Sequence, residues 1–432
     1  MALIYCGIDE AGYGPMLGPL CVGFSAFRVE GWDPEGGAPD LWALLEKAVC
    51  RRGRDSLGRI PIADSKKLKL PNDSKARHPL THLERGVLAF GGLVGRGSEG
   101  ARERDSETGG AAGEGCGSEG ARQRDSETGG GAGEERGSEA GRIVCDRSLF
   151  EALGVRLESH PWYAGDPTPL PLSGSVAQLA IARNTLALAC AGAGVEPLAL
   201  ACNAVGETEF NEVVRTGGSK AHLTGRCFAR YLRRAVERWG GCGDEVRLVC
   251  DRHGGRTSYS PMIEAAVRGL GCEVETLEES ERCSRYAIRS THPMSGGRAF
   301  QPAAPSVADR QSAGVQGPLR VTSDGESEEG SPPPNPLPPG EGGGAGEDAP
   351  RAGRIHIQFR PEAEEAHLPV ALASMTAKLV RELAMARFNR YWCGRVAELK
   401  PTAGYVQDAR RWLEDVEGVL CDDEREAMVR LA

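Results

Sequence analysis

Residues 3–9, Leu-Ile-Tyr-Cys-Gly-Ile-Asp, carry apolar side chains on both faces of an extended chain. A strand of that kind has to sit inside a sheet covered on both sides. It ends on two adjacent carboxylates, Asp9 and Glu10, followed by Gly12-Tyr13-Gly14-Pro15. Glycines there let the backbone turn and approach a ligand closely. Two acids at a strand end before a Gly-x-Gly turn suit a cation site facing a phosphate backbone. A surface Asp-Glu turn with ordinary turn glycines fits the same letters, because short motifs recur by chance.

The rest of the chain supplies layers for such a strand. Leu20 to Val29 reads as an antiparallel neighbour, and Leu41 to Arg51 has helical spacing. Val176 to Ala191 and Ala221 to Trp239 read as helices, and so does Ser258 to Leu270. Leu198–Cys202, Glu245–Asp251, Cys272–Leu277 and Ile355–Phe359 read as strands. The strand at 245 again ends on a carboxylate, Asp251. Leu368 to Tyr391 is the longest helix, its early turns almost all small or apolar, so it belongs against the sheet. An amphipathic helix and a short terminal helix follow the turn Pro401–Tyr405. The pattern predicts an α/β fold: a mixed central sheet flanked by helices, with a C-terminal helical segment.

Two stretches do not fit a packed core. Gly97-Ser-Glu-Gly-Ala-Arg-Glu-Arg-Asp-Ser-Glu-Thr-Gly-Gly recurs almost unchanged from Gly117, a period of about 20 residues. With almost no apolar side chains, it cannot offset its ordering entropy. Residues 293–352 are rich in Pro, Gly and acids. The expected organisation is a core in three pieces, 1–93, 142–292 and 353–432, interrupted by disordered insertions at 94–141 and 293–352. Deleting 97–139 is expected to leave folding intact.

The net charge of −9 lies in those insertions. Residues 95–139 hold eleven acids and six bases, and 297–350 hold eight acids and three bases. The remainder is near neutral, so overall charge does not exclude a nucleic-acid partner. Fourteen cysteines include no Cys-x-x-Cys pair, and several stand singly in apolar runs. Free thiols packing as small hydrophobes indicate a reducing compartment. No zinc-ligand spacing, basic leader or membrane-length apolar run is evident. The expectation is a soluble, cytoplasmic monomer. Asp64-Ser65-Lys66-Lys67-Leu68 reads either as a charged helix start or as a phosphate-contacting loop. Lys220 reads as a solvated lysine, since Gly217-Gly-Ser-Lys220 lacks the spacing of a P-loop.

These motifs, taken in order, resemble ribonuclease HII, the type 2 ribonucleases H. The matching stretches are Gly7-Ile-Asp-Glu-Ala-Gly-Tyr-Gly-Pro15 with Leu17-Gly18-Pro19, then Asp64-Ser-Lys-Lys-Leu68. The strand ending in Asp251, Ala371-Leu-Ala-Ser-Met-Thr-Ala-Lys-Leu-Val-Arg-Glu382 and Ala403-Gly404-Tyr405 follow. Between them the likeness is thin, as in a divergent branch.

The resemblance implies a ribonuclease H-like fold with four carboxylates, Asp9, Glu10, Asp251 and Glu382, as catalytic metal ligands. It implies Mg²⁺ or Mn²⁺, two ions in the catalytic complex, because clustered carboxylates and hard oxygen donors call for such cations. The implied activity is metal-dependent endonucleolytic cleavage of the RNA strand of RNA–DNA hybrids, or of ribonucleotides embedded in duplex DNA, by two-metal-ion hydrolysis. Substrate contacts fall on Gly12, Tyr13, Gly14, Ser65, Lys66 and Tyr405.

The departures from the family pattern are specific. Tyr13 stands where the family has Arg or Lys, and Asp251 is followed by Arg252-His253 rather than directly by glycine. Glu382 replaces Asp, and the family's Gly-Asp-x-Lys-Ser stretch has no clean match, Glu362 to His367 standing near its place. An altered nucleic-acid substrate, or a non-catalytic nucleic-acid-binding protein, are the alternative readings.

Overall fold

The computed structural model describes residues 1–94, 143–252, 256, 258–290 and 354–431. Nine strands are formed among them: β1 (Leu3–Ala11), β2 (Leu20–Val29), β3 (Val49–Cys50), β4 (Ile60–Pro61), β5 (Val195–Val205), β6 (Glu245–Asp251), β7 (Cys272–Glu279), β8 (Ser284–Ser290) and β9 (Arg354–Arg360). The helices are α1 (Leu41–Leu44), α2 (Ser65–Leu68), α3 (Thr81–Gly91), α4 (Asp146–Leu153), α5 (Val176–Gly192), α6 (Glu207–Arg215), α7 (Lys220–Trp239), α8 (Ser260–Val267), α9 (Ala363–Ala366), α10 (Leu368–Arg395), α11 (Val406–Asp415) and α12 (Asp422–Met428).

Seven strands form one mixed sheet in the order β5-β2-β1-β6-β9-β8-β7, so β1 is internal, as its two apolar faces require. β1 runs antiparallel to β2 and parallel to β6, and β6 runs parallel to β9. Side chains alternate across the pleat. Leu3 and Tyr5 face a core filled by α3, α5 and α10, including Leu83, Phe90, Leu186 and Leu379. Ile4, Cys6 and Ile8 face the opposite core under α7 and α8, including Phe228, Tyr231 and Ile263. A third cluster joins the second half of α10 to α11 and α12 through Phe388, Trp392 and Trp412.

Two glycines set how closely α10 approaches. A Cβ on Gly7 would lie 2.2 Å from the carbonyl carbon of Pro369, and one on Gly23 would lie 2.1 Å from Ala373 O. With no side chain at either position, the helix backbone rests directly on β1 and β2. Ser25 Oγ donates to Pro369 O at 2.7 Å and adds a polar tie at the same crossing.

Some expected elements differ. The helix expected over 41–51 stops at Leu44. Val49 and Cys50 instead pair with Ile60 and Pro61, an extended pairing suited to β-branched Val49. β8 was not expected, because only three consecutive apolar residues, Tyr286-Ala287-Ile288, stand between the polar pairs Ser284-Arg285 and Arg289-Ser290; all three are buried. α3, α4, α6 and α9 were also not expected. The insertions at 94–141 and 293–352 lie outside the described residues, Val94 apart. Among the described residues no helix is long and apolar enough to cross a membrane.

Candidate active site

The pairing of β1 with β6 matches Ile8 to Cys250, which brings the next residues, Asp9 and Asp251, level at the carboxyl ends of adjacent parallel strands. Ligand sites in open α/β sheets form at such ends. Asp9 shares the pleat face of Tyr5 and Gly7, under α10. There the Ser374 hydroxyl hydrogen-bonds its carboxylate, and Ser374 and Ser65 are joined Oγ to Oγ at 3.0 Å. Asp9 Oδ1 also accepts the Glu10 N–H at 2.7 Å.

Asp251 accepts the Ala363 N–H at 3.3 Å. This bond comes from a tight reversal after β9 in which Glu362 adopts φ +53°. The reversal leads into α9 and returns Glu364 toward the strand ends, where it is buried at 8% exposure.

The four acids are charged neighbours, and their proton affinities show it. Burial, then Glu10, Asp251 and Glu364, hold the Asp9 carboxyl well above its ordinary range. Burial and Asp251 push Glu10 up to about 7, opposed by Lys66. Burial and Asp251 likewise push Glu364 up to about 7. Burial raises Asp251 against the N–H groups of Ala363 and Arg252. Lys66, on α2 behind its Asp64 cap, is the cation that faces this group. Glu364 Oε2 has no hydrogen-bond partner.

Of the expected site residues, the structure brings together Asp9, Glu10, Asp251 and Lys66. Glu382 stands apart. Ser374 is level with Asp9, and eight residues further along a helix is about 12 Å. The Glu382 carboxylate instead pairs with Lys378 at 3.0 Å and Lys69 at 3.6 Å. Burial alone would raise its pKa, but those ammonium groups bring it below the ordinary value. The fourth carboxylate of the cluster is Glu364, which the sequence reading did not select. The one signal was its place just before the buried helix.

Ser65 is buried at 3% exposure with its hydroxyl bonded to Ser374, so it supports the Asp9 shelf rather than facing solvent. Tyr13 is exposed and lies near Glu10, which helps raise its phenol pKa after burial. Gly12 takes φ +91°, and Gly14 stands in open space. Gly404 O accepts the N–H groups of Met16 (2.8 Å) and Leu17 (3.2 Å), tying the segment that ends in Tyr405 to the loop after Gly14. The exposed Tyr405 ring lies 5.9 Å from Lys378 Nζ and 5.5 Å from Arg381 Cζ. His253 lies outside the described residues.

The donor set is all oxygen and in excess of its neighbouring positive charge, which fits a hard divalent cation. Among the described residues no three His, Cys, Asp or Glu side chains stand in positions to hold a metal ion together.

No protein-family profile matches the sequence, and no curated protein matches it. Among solved structures, a chain of the PCNA:RNase HII complex from Archaeoglobus fulgidus is similar at 11% identity and a TM-score of 0.32, over 99% of this chain and 94% of that one. Likeness at that level leaves the function to be argued from the site itself.

Proposed function

We propose that the chain is a metal-dependent nuclease of the ribonuclease H type, hydrolysing the RNA strand of RNA–DNA hybrids or ribonucleotides embedded in duplex DNA. The observation that carries this is the convergence of Asp9, Glu10, Asp251 and Glu364, with raised proton affinities and one carboxylate oxygen unpartnered. Four such groups repel one another unless cations stand between them.

The residues to hold Mg²⁺ or Mn²⁺ are Asp9, Glu10, Asp251 and Glu364; Glu382, committed to two lysines, is left out. Two bound ions would supply an activated water and charge stabilisation for a leaving 3′ oxygen. Ser374 fixes the Asp9 carboxylate. The N–H groups of Ala363 and Arg252 fix Asp251. Lys66, which faces the acids, would meet a phosphate beside them. Gly12, Tyr13, Gly14 and Tyr405 line the loop on which the duplex would rest. The motif order supports the hybrid as substrate, and nucleic acid as the partner.

The test is cleavage of three labelled duplexes: an RNA–DNA hybrid, DNA with one ribonucleotide, and plain DNA. Each is run with Mg²⁺, Mn²⁺ or chelator, using wild type and Asp9→Asn. Cleavage at ribonucleotides that needs metal and is lost in Asp9→Asn is expected. Equal cleavage by the mutant would overturn the reading. Tyr13 favours a second reading, a nuclease of the same core acting on a branched or structured nucleic acid. Cleavage of a junction and of none of the three duplexes would select it. Tight hybrid binding without cleavage would mark a non-catalytic binder.

A further inference from the structure

The turn that follows β1 rests on two buried guanidiniums. Arg381, from α10, is fully buried, and Arg430, just past α12, is 3% exposed. Arg430 Nη2 donates to Gly12 O at 2.8 Å, and Arg430 Nε donates to Pro15 O at 2.9 Å. Arg381 Nη2 donates to Leu17 O at 3.2 Å and Ala403 O at 2.9 Å. Every acceptor is a carbonyl of the two loops; none is a carboxylate. Arg381 Nε and Nη1 and Arg430 Nη1 have no hydrogen-bond partner.

The acid beside them is Glu207, whose Oε1 accepts the Gly18 N–H at 3.1 Å and the Tyr163 hydroxyl at 2.5 Å. Burial pushes its carboxyl up to about 7, so near neutrality it offsets only part of two positive charges. Burial and Arg381 lower Arg430 to about 10, which still leaves it charged.

The direction of the carbonyls matters. In a trans peptide the C=O and N–H point opposite ways. Gly12 O is turned down onto Arg430, so the Tyr13 N–H is turned away from it. Neither the Tyr13 N–H nor the Gly14 N–H bonds another described residue. Two N–H groups without a partner among the described residues, next to a buried positive charge, are what an anion-binding turn requires. A charge in low dielectric is also less screened by salt than a surface one.

Arg430 is itself held from α6. Asn211 Nδ2 donates to Val429 O at 2.8 Å, and Asn211 Oδ1 accepts the Leu431 N–H at 2.8 Å. The two bonds bracket Arg430, whose guanidinium lies 4.7 Å from the Phe210 ring centre.

We propose that Arg430 is a positioning residue for a nucleic-acid phosphate. With Arg381 it holds the Gly12–Pro15 turn with its N–H groups outward, and it supplies from beneath the positive charge that Tyr13 does not carry. This rests on reading the carboxylate site as one that acts on nucleic acid.

The experiment measures binding of a labelled RNA–DNA hybrid to the full chain in Mg²⁺, in an Asp9→Asn background, across a salt series. Arg430 is compared with Arg430→Gln and Arg430→Lys. Arg430→Gln is expected to bind about tenfold more weakly, with the slope of log K against log salt shallower by about 0.9, the value of one phosphate contact. Arg430→Lys keeps the charge and loses the fork, so it weakens binding and retains the slope. In the otherwise wild-type enzyme, Arg430→Gln raises KM about tenfold and leaves kcat within about threefold.

Wild-type affinity and slope in Arg430→Gln would overturn the proposal while leaving the nuclease reading intact. Equal weakening in both variants with no change of slope would reduce Arg430 to a structural residue. Should Arg430→Gln fail to fold, Arg430→Lys decides: a raised KM with kcat within about threefold at unchanged slope supports the proposal, and wild-type affinity, or a fall in kcat as large as the rise in KM, overturns it. A folded parent protein that binds no hybrid would overturn the reading of the site, and this inference with it.

Discussion

Asp251 accepts a hydrogen bond from the backbone N–H of Ala363 at 3.3 Å, and that contact delivers the next residue, Glu364, to the carboxylate cluster. Glu382 is held elsewhere by Lys378 and Lys69. The two glutamates are therefore separable. Glu364→Gln is expected to lower metal-dependent cleavage at least a hundredfold and to leave stability intact or improved, since it removes a repulsive charge. Glu382→Gln should leave the rate within a few-fold and cost about 3 kcal/mol of stability, because Lys378 is left buried without its partner. Rates and denaturant melts on both variants check this. The reverse pattern would return Glu382 to the site.

The metal-free protein should lose stability as pH rises. Glu10 and Glu364 bind protons more tightly folded, at about 7, than their ordinary value of 4.5, and Asp9 and Asp251 shift the same way. A raised carboxyl pKa means the folded state holds more protons than the unfolded one, so stability falls with pH through that window. Melting temperature in chelator should drop between about pH 5 and 8, and Mg²⁺ should recover it at the alkaline end. Glu207, also raised to about 7, adds a slope of the same sign. The site's share is therefore the part that Glu364→Gln flattens. An identical slope in that variant would mean the cluster does not carry the repulsion.

The strand ending in Asp9 and Glu10 was legible because its apolar residues fill both faces, and its neighbour β2 because the glycine turn is short. Asp251 was legible because Val246, Leu248 and Cys250 mark the apolar face of a strand that again ends on an acid. Glu364 was not. It sits in a four-residue helix whose place depends on the αL turn at Glu362, and nothing local in Glu-Ala-Glu-Glu distinguishes it from a solvated acidic run. Arg430 was hidden for a different reason. Its partners, Gly12 and Pro15, lie more than 400 residues earlier, and only tertiary closure brings them together. Glu382 was selected through the resemblance, which implies an acid on the buried helix, and the structure pairs its carboxylate with two lysines. Lys378, one turn before it on the same helix, was legible as a partner; Lys69, from the end of α2, was not.

The approach of α10 to the sheet depends on missing side chains. Gly23→Ala would place a methyl 2.1 Å from Ala373 O, a backbone atom that cannot swing aside. The helix would have to lift, and Ser374 with it, away from Asp9. The expected cost is about 3 kcal/mol or more in a denaturant melt. Cleavage should fall further than the folded fraction accounts for, because the Asp9 shelf moves. Gly14→Ala, whose Cβ meets nothing within 4 Å, is the control and should change stability by less than about 1 kcal/mol. Equal melts for the two variants would mean the close crossing is not what fixes the helix.

Tyr13 stands on the turn that the two buried arginines support, and its ring is exposed beside Glu10. If the ring stacks on a sugar or base, Tyr13→Phe should bind hybrid as tightly as the parent. Tyr13→Ala should then weaken binding by about 1–3 kcal/mol with the salt slope unchanged, because stacking releases no counterions. Tyr13→Arg adds a surface cation above the buried pair. It should steepen the slope of log K against log salt by about 0.9 while losing part of the stacking. Hybrid binding measured across a salt series for the three variants separates the contributions. Tyr13→Ala binding as tightly as the parent would show the ring to be idle, and an unchanged slope in Tyr13→Arg would place the phosphate out of reach of this turn.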